Sequence, residues 1–352
     1  MTGCGLDVQP EHPKLGAMRI AVFGARSYDR EYLTAANAEG CHELVFLETD
    51  LNSTTAQLAA GCGAVCVFVN DRLDAEAICV LAGLGVGLIA LRCAGFNNVD
   101  LAAAEAHGIP VVRVPAYSPH AVAEFAIGLL LVLDRKIHRA WARMRENNFS
   151  LDGLVGRNLH GRVVGVVGTG RIGAIVARIL KAGFGCEVLA HDVIESPELS
   201  ALGVRYVSRD VLLRESGIIT LHCPLTPETH HLIDAAALET AREGVVVVNT
   251  SRGGLIDTAA LIEALKSGKV GGVALDVYEQ EDNLFFRDLS DEIVQDDVFQ
   301  RLLTFPNVIV TGHQAFLTEE ALRAIAETTL ANISDAEAGR ELANQVTSAM
   351  VR

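Results

Sequence analysis

The fold is decided by the stretch Val163–Gly173, VVGVVGTGRIG, in which an apolar strand leads directly into three glycines with G-x-G-x-x-G spacing. The first glycine, Gly168, permits a tight turn, and the second, Gly170, lets backbone N–H groups approach a pyrophosphate. The third, Gly173, lets the next helix pack closely on the strand. Because that helix begins at Arg171, its positive end faces the phosphates. The stretch therefore predicts a dinucleotide-binding βαβ unit.

An acidic residue at the end of the next strand supports this interpretation. Asp192 follows the predicted strand Cys186–His191, where a carboxylate can hydrogen-bond the diol of an adenosine ribose. The alternative is a solvated aspartate at a strand end. Neither Arg nor Lys occurs within Val193–Leu202 to bind a 2′-phosphate. The sequence thus predicts NAD rather than NADP.

Length and hydropathy indicate a two-domain protein with well-buried elements. The chain has 352 residues, and 50% of them are hydrophobic. The longest apolar run, Ala77–Leu91, has 15 residues, fewer than the roughly 18–20 that a membrane span needs. No secretion signal opens the chain. We expect a cytoplasmic protein in which residues 1–17 form a disordered leader of unknown role.

Charge and cysteine usage exclude several classes of partner. The formal net charge of −15 repels nucleic acids and anionic membranes, so we expect neither as a partner. The eight cysteines are scattered singly, without the spacing to one another or to histidine that metal sites show. We therefore expect reduced thiols and no metal. An anionic substrate would need a local cationic anchor.

Apolar strands alternate with helical stretches along the first third of the chain, as in a parallel α/β domain. The predicted strands are Met18–Phe23, Glu43–Leu47, Ala64–Phe68, Leu88–Leu91 and Pro110–Val112, with helices at Tyr28–Ala38 and Asp74–Leu81. The turn that follows, with a hinge at Tyr117–Pro119, leads into one long helix predicted over His120–Asn147.

A second α/β unit begins at Val163. Its further strands are predicted at Val204–Val207, Ile218–Leu221, Val245–Asn249, Val273–Val277 and Val308–Val310. A final helix, Glu319–Glu337, is expected to return to the first domain. We predict a Rossmann-type doubly wound parallel sheet, residues 118–313, inserted in a smaller flavodoxin-like α/β substrate domain, residues 18–117 and 314–352, with a cleft between them.

Three polar residues that follow strands suggest the chemistry. Arg252, Glu281 and His313 each come after a predicted strand, and the carboxyl ends of parallel strands share one sheet edge. A guanidinium can hold a substrate carboxylate bidentately. A histidine can donate a proton to a carbonyl oxygen as hydride arrives, and a carboxylate on its other ring nitrogen orients it. This set predicts reduction of a 2-keto acid beside a nicotinamide.

Each of these residues has an alternative interpretation. Arg252 could be a surface arginine at a helix start, and Glu281 could be a solvated residue of an acidic stretch. His222 also follows a strand and competes with His313 for the role of proton donor. However, it precedes Cys223 and Pro224, where a backbone contact to the nicotinamide is more natural.

Longer motifs carry a resemblance over nearly the whole chain, from about Met18 to Val351. With these motifs the chain resembles the D-2-hydroxyacid dehydrogenases, and most closely their D-lactate dehydrogenase branch. The matching stretches are LRCAGFNNVDLAAAEAHGIPVVRVPAYSPHAVAE, GVVGTGRIG, LHCPLTPETHHLID, VVNTSRGGLIDT, ALDVYEQE and TGHQAFLTEEAL.

The resemblance implies an activity and roles for individual residues. It implies reduction of pyruvate by NADH, with Arg252 on the substrate carboxylate, Glu281 paired with His313, and His313 as proton donor. For the cofactor it implies pyrophosphate contacts at Arg171 and Ile172, a nicotinamide carboxamide contact at Asp276, and a lining of Cys223, Pro224, Thr229, Thr250 and Ser251. For the substrate it implies backbone amides near Gly95 and a pocket shaped by Tyr117 and Phe316.

The aromatic wall at Tyr117 and Phe316 favours a small substrate side chain such as methyl, although Phe316 could instead belong to the core. One departure is Phe125, where relatives commonly have histidine; activity should survive, but hinge packing or the pH profile could change. The apolar helix His120–Leu133 would expose a large face on a monomer, so we expect a homodimer or homotetramer.

Two other functions remain open from the residues. The substrate could be another 2-keto acid, such as hydroxypyruvate, glyoxylate or a branched acid. Phosphoglycerate is least favoured, because only Arg113 and His120 could supply extra positive charge. The chain could also be a nucleotide-sensing binding protein without turnover, although such a protein would not need Arg252, Glu281 and His313 together.

Overall fold

The computed structural model describes residues 17–281 and 284–351. The predicted leader, apart from Ala17, lies outside the described residues. The chain divides into two compact units, one comprising the described residues up to Ser118 and from Thr318 onward, the other Pro119–Leu317. The roles that the sequence analysis gives to the two domains stay predictions.

The elements alternate along the chain, as expected for an α/β protein. The strands are β1 (Met18–Val22), β2 (His42–Phe46), β3 (Ala64–Val67), β4 (Leu88–Leu91), β5 (Val111–Val112), β6 (Val163–Val167), β7 (Glu187–His191), β8 (Arg205–Tyr206), β9 (Ile218–Leu221), β10 (Val245–Asn249), β11 (Val270–Leu275), β12 (Val308–Val310) and β13 (Gln345–Val346). The helices are α1 (Ser27–Ala36), α2 (Ala75–Gly83), α3 (Leu101–Ala106), α4 (Pro119–Asp134), α5 (Ile137–Arg145), α6 (Arg171–Arg178), α7 (Pro197–Ala201), α8 (Arg209–Glu215), α9 (Ala235–Thr240), α10 (Thr258–Ser267), α11 (Asp297–Leu303) and α12 (Glu319–Glu337).

The first unit is built on a sheet with the order β13-β5-β4-β3-β1-β2. The pairs are parallel except for β13, which runs antiparallel to β5. Apolar side chains of α12, such as Leu330 and Ile333, share a core with Ile20 of β1 and Leu88 of β4. The predicted return of the final helix to the first domain is confirmed.

The second unit is built on a parallel sheet with the order β12-β11-β10-β9-β6-β7-β8. The order reverses between β6 and β9, and ligands of doubly wound sheets bind outside the carboxyl ends of the strands at such a point. All five residues of β10 are buried, since apolar clusters cover both faces of the sheet. The predicted fold class is confirmed.

The largest displacement of a strand from its prediction is that of β11. We predicted Val273–Val277, but β11 spans Val270–Leu275. The pair Gly271 and Gly272 lowers the apolar signal at its start. A Cβ on Gly271 would lie 2.5 Å from the carbonyl oxygen of Gly244, so close backbone packing requires glycine there.

The single long helix predicted over His120–Asn147 is wrong. The chain forms α4 and α5, with Lys136 between them in the left-handed region at φ +53°. A Cβ on Gly156 would lie 2.5 Å from the carbonyl oxygen of Asp134. The segment around Gly156 therefore packs against the carbonyl oxygen of Asp134 at the end of α4. A continuing helix would need this oxygen as the acceptor for the N–H four residues later.

The apolar face on which we based the oligomer prediction is not exposed. Residues of α4 such as Ala126, Ile127 and Leu130 are buried in a core cluster of the second unit. The exposed large apolar residues of this region come after α4 and are Ile137, Trp141, Met144, Phe149, Leu151 and Val155. None of the described helices is long and apolar enough to span a bilayer.

We predict that Gly165→Ala destabilises the second unit. Gly165 lies in β6, and a Cβ there would sit 2.5 Å from Ser216 Oγ and overlap the side chain of Leu212. Such overpacking costs about 1–3 kcal/mol in the free energy of unfolding, so the melting temperature followed by circular dichroism should fall.

The control is Gly83→Ala at the exposed end of α2, where a Cβ meets no atom within 4 Å. This change should leave the melting temperature unchanged or raise it slightly, since alanine favours helix by about 1 kcal/mol over glycine. Equal melting temperatures for Gly165→Ala and the wild type would contradict this account of the packing between β6 and α8.

Candidate active site

The glycine-rich turn lies at the point where the order of the second sheet reverses. Gly168 has φ +85°, and a Cβ there would lie 2.5 Å from the backbone nitrogen of Cys223. A Cβ on Gly173 would overlap the carbonyl oxygen of Gly168. Gly170 is the N-cap of α6, and a Cβ there would meet no atom of the described chain within 4 Å. Packing therefore requires glycine at positions 168 and 173, whereas the space beside Gly170 at the start of α6 is open.

The carboxylate of Asp192 lies beside this turn. It accepts hydrogen bonds from Thr169 N at 2.5 Å and Thr169 Oγ1 at 3.0 Å, and from the backbone nitrogens of Val193 at 2.7 Å and Ile194 at 3.3 Å. Partial burial alone would raise the pKa of Asp192, but these hydrogen bonds outweigh burial and lower it. Asp192 is therefore an ionised acceptor at neutral pH.

Hydrogen bonds connect the loops that follow β9 and β10. Ser251 Oγ donates to the carbonyl oxygen of Cys223 at 2.7 Å and so joins the two loops. Within the loop after β9, Thr229 Oγ1 donates to the carbonyl oxygen of Pro224 at 2.7 Å. Burial raises the pKa of the Cys223 thiol to about 11, so this cysteine is not a thiolate at neutral pH. The residues predicted to line the cofactor thus lie on two connected loops.

Thr250 has an unused hydrogen-bonding group. Its side chain is buried, and Oγ1 has no hydrogen-bond partner within the described part of the chain. Buried polar atoms almost always have a partner, so this hydroxyl is available to hydrogen-bond a further group. The observation fits a cofactor site at the end of β10.

The two candidate histidines differ in their surroundings. Burial lowers the pKa of His222 to about 4, and its Nε2 lies 2.8 Å from Thr220 Oγ1. His222 is therefore uncharged at neutral pH and cannot act there as an imidazolium that donates a proton. This removes it as a competitor of His313.

His313 and Glu281 form a hydrogen-bonded pair. His313 Nδ1 lies 2.7 Å from Glu281 Oε1, and Glu281 Oε2 accepts from Tyr278 N at 2.9 Å. The two side chains are 19% and 20% exposed. A ring nitrogen bound to a carboxylate fixes the orientation of the imidazole, so Nε2 can serve a second partner.

A buried carboxylate shapes the segment that carries His313. Asp276 accepts from Thr311 Oγ1 at 2.5 Å, Gln314 N at 3.0 Å and Ala315 N at 2.8 Å. Its carbonyl oxygen accepts from His313 N at 2.7 Å, and His313 adopts φ +53°. Burial raises the pKa of Asp276, and the hydrogen bonds offset part of this rise. The predicted contact of Asp276 with the nicotinamide stays a prediction.

The loop that carries Arg252 packs against the loop that carries Glu281. Its guanidinium Nη1 donates to the carbonyl oxygen of Ser251 at 2.7 Å. A Cβ on Gly253 would overlap the carbonyl group of Tyr278, so the loop after Arg252 packs against the residue whose N–H holds Glu281. One packing contact, between Gly253 and Tyr278, therefore joins the loop of Arg252 to the loop of Glu281.

The other predicted residues are distributed over both units. Phe316 is buried in the second unit, three residues after His313. Arg171 is exposed at the start of α6, and Ile172 next to it is half-buried. Gly95 and Tyr117 belong to the first unit, where both are partly exposed.

Two features escaped the sequence analysis. The positioning of the His313 segment by Asp276 depends on backbone N–H groups 38 and 39 residues away, which no local pattern reveals. The pair of His231 Nε2 and Glu279 Oε1, 2.6 Å apart, was also missed. The adjacent histidines at 230 and 231 were the available signal, whereas the expectation of no metal rested on the spacing around the cysteines.

Comparison with known proteins finds relatives over nearly the whole chain. Residues 127–315 match the family model "D-isomer specific 2-hydroxyacid dehydrogenase, NAD binding domain". The 2-hydroxyacid dehydrogenase homolog 1 of Schizosaccharomyces pombe is 57% identical over 318 residues, 90% of this chain and 96% of that protein. The D-lactate dehydrogenase of Escherichia coli is 52% identical over 329 residues, 94% and 100% of the two chains. The structure of the pyruvate reductase of Chlamydomonas reinhardtii has a TM-score of 0.89 at 48% identity and covers 93% of this chain and 98% of that one.

These matches confirm the resemblance drawn from the motifs and the expectation of NAD as cofactor. They agree with a glycine turn at the reversal of a doubly wound sheet and an ionised Asp192 beside it. The chain belongs to the D-isomer specific 2-hydroxyacid dehydrogenase family, in its D-lactate dehydrogenase branch, and is an NAD-dependent oxidoreductase that acts on the CH–OH group of its donors.

Proposed function

We propose that this enzyme reduces pyruvate to D-lactate, with His313 as the proton donor. The observation that carries the proposal is the 2.7 Å pairing of His313 Nδ1 with Glu281, which orients an imidazole after β12, in the sheet that also carries the glycine turn. The names of the Escherichia coli and Chlamydomonas reinhardtii relatives, a D-lactate dehydrogenase and a pyruvate reductase, support this substrate.

The proposed cofactor site is built around the glycine turn. Backbone N–H groups at Gly170 and the first turn of α6, with Arg171 and Ile172, bind the pyrophosphate, because a helix start attracts anions. Asp192 accepts from the ribose hydroxyls. The set that lines the remainder of the cofactor is Gly168, Gly173, Cys223, Pro224, Thr229, Thr250, Ser251 and Asp276. Bound NADH supplies the hydride.

The chain's own groups then handle the substrate and the proton. The guanidinium of Arg252 binds the pyruvate carboxylate and fixes which face of the carbonyl is presented. His313 Nε2 donates a proton to the carbonyl oxygen as negative charge develops there. Glu281 keeps the ring in place during the transfer.

Substrate size is the remaining question. In this proposal the side chain of Phe316 lies beside the methyl group of pyruvate, so a bulky substrate side chain meets an aromatic ring. Differences of this kind in an apolar pocket change kcat/KM by about 10–200-fold. The active-site pair argues against a binding protein without turnover, since sensing needs no oriented proton donor.

The proposed function predicts a defined order of substrates. We expect pyruvate with NADH to have the highest kcat/KM, above hydroxypyruvate, glyoxylate and 2-ketoisocaproate, and NADPH to be poorer because Asp192 repels a 2′-phosphate. Initial rates of NADH and NADPH oxidation measure both preferences. A preference for 2-ketoisocaproate would overturn the role of Phe316, and a preference for NADPH would overturn that of Asp192.

The proposed mechanism predicts unequal losses for the two members of the pair. His313→Ala should lower kcat roughly 10²–10⁴-fold, since it removes a general acid. Glu281→Gln should cost less, because the imidazole remains. Both variants should bind NADH as the wild type does in a fluorescence titration.

The surface variant His107→Ala, at the end of α3, is the matched control and should retain full activity. If His313→Ala keeps a wild-type kcat with pyruvate, another group supplies the proton and the mechanism is wrong.

We also propose that the enzyme is a homo-oligomer, a dimer or tetramer, that covers the exposed apolar residues of α5 and the segment after it. No residue of α5 is buried within its own chain, and Trp141 and Phe149 are 62% and 66% exposed. Light scattering during gel filtration should give a multiple of 37.5 kDa for the wild type and a smaller species for Trp141→Glu combined with Phe149→Asp. Leu58→Glu, an exposed apolar residue of the first unit, should keep the wild-type mass. A monomeric wild type would refute the proposal.

A further inference from the structure

We propose that His230, His231 and Glu279 form a binding site for a divalent transition-metal ion such as Zn²⁺, and that the bound ion inhibits the dehydrogenase. Each residue offers one ligand atom, and the three atoms lie within 4.8 Å of one another. The site is distinct from the residues assigned to substrate, cofactor and proton transfer.

The geometry needs only a small adjustment to hold an ion. His231 Nε2 lies 2.6 Å from Glu279 Oε1, and the two imidazole rings stack with centroids 3.9 Å apart and planes at 25°. Zn²⁺ binds histidine nitrogen and carboxylate oxygen at about 2.0–2.2 Å, so neighbouring ligand atoms must settle about 3.3 Å apart. An imidazole binds an ion through a lone pair in the plane of its ring, and two stacked rings cannot both direct such a lone pair at one ion. The exposed ring of His230 must therefore rotate to bring its nitrogen to the ion.

The donor set selects the kind of ion. Two imidazoles and one carboxylate suit Zn²⁺, and such three-ligand sites leave a fourth position for water. Mg²⁺ and Ca²⁺ prefer oxygen ligands throughout. Glu279 Oε2 also accepts from Thr258 Oγ1 at 3.1 Å, and a hydrogen bond of this kind orients a ligating carboxylate. The net charge of −15 favours a cation near the protein.

The backbone holds both histidines close to the loop that carries Arg252. His231 N donates to the carbonyl oxygen of Gly254 at 2.8 Å, and His231 adopts φ +51°. A Cβ on Gly254 would lie 3.7 Å from Cδ2 of His230. A metal ion on the two rings would therefore restrain this loop.

The third ligand connects the ion to the proton donor. Glu279 lies two residues before Glu281 in the loop that follows β11. In the same loop, Tyr278 N donates a hydrogen bond to the Glu281 carboxylate at 2.9 Å. An ion would separate Glu279 Oε1 and His231 Nε2 from 2.6 Å to about 3.3 Å, and we infer that this moves the short backbone segment between Glu279 and Glu281. Because Glu281 holds His313 at 2.7 Å, such a shift disturbs the orientation of the imidazole. The expected effect is a lower kcat.

The experiment measures metal binding and activity separately on the full chain without a histidine tag. Zn²⁺ affinity comes from competition with a chromophoric chelator, and activity comes from NADH oxidation with pyruvate. We expect one Zn²⁺ per chain and a loss of kcat that follows its binding, with no inhibition by Mg²⁺ at the same concentration. The chelator measurement does not depend on the substrate, so failure of the proposed function would not be mistaken for failure of this site.

The decisive variant is His230→Ala, which leaves the contact between His231 and Glu279 intact and should keep basal activity. Removing one ligand should weaken Zn²⁺ binding about 10-fold or more and shift inhibition to correspondingly higher concentrations. His107→Ala should behave as the wild type. Wild-type affinity and inhibition in His230→Ala would place the ion elsewhere, for instance at His313 and Glu281, and overturn the proposal. A wild type that binds no Zn²⁺, or binds it without loss of kcat, would also overturn it.

Discussion

The candidate active site depends on the buried carboxylate of Asp276. It accepts three hydrogen bonds from Thr311, Gln314 and Ala315, while its own carbonyl oxygen accepts the N–H of His313. These bonds hold His313 in a backbone conformation with φ +53°, which non-glycine residues seldom adopt without such support. A hydrogen bond contributes about 0.5–1.5 kcal/mol net, and leaving a buried partner unpaired costs more, so the bonds together hold the loop. The orientation of the imidazole follows from this loop.

The parallel sheet brings the remaining groups to the same edge. In the second unit the glycine turn follows β6, Arg252 follows β10, and His313 follows β12. Packing constraints then connect these strand ends: Gly168 against the backbone of Cys223, and Gly253 against Tyr278. Close backbone contacts therefore join neighbouring strand ends. The same property underlies the inhibition that we propose for a metal ion at Glu279.

Much of this architecture could be predicted from the sequence, because apolar strands that are buried on both faces carry a strong pattern. The strands Ile218–Leu221 and Val245–Asn249 and the helix Glu319–Glu337 have the bounds that we predicted. The pairing of Glu281 with His313 could also be predicted, since both follow neighbouring strands.

The predictions that were wrong or missing depend on contacts between residues that are far apart in the sequence. The break of the helix at Lys136 depends on a chain crossing at Gly156, and the hydrogen bonds of Asp276 depend on a loop more than 30 residues away. Neither leaves a periodic signal. The apolar face that we expected on the surface packs inside the second unit, because periodicity reveals that a face is apolar but not what covers it.

The central claim is that an arginine clamp and an oriented imidazole act on one substrate at this sheet edge. A crystal structure of the enzyme with NAD⁺ and oxamate, an unreactive analogue of pyruvate, tests it most directly. We expect the guanidinium of Arg252 on the oxamate carboxylate and His313 Nε2 within hydrogen-bond distance of the adjacent carbonyl oxygen. Oxamate bound with His313 turned away from it, or without contact to Arg252, would contradict the account.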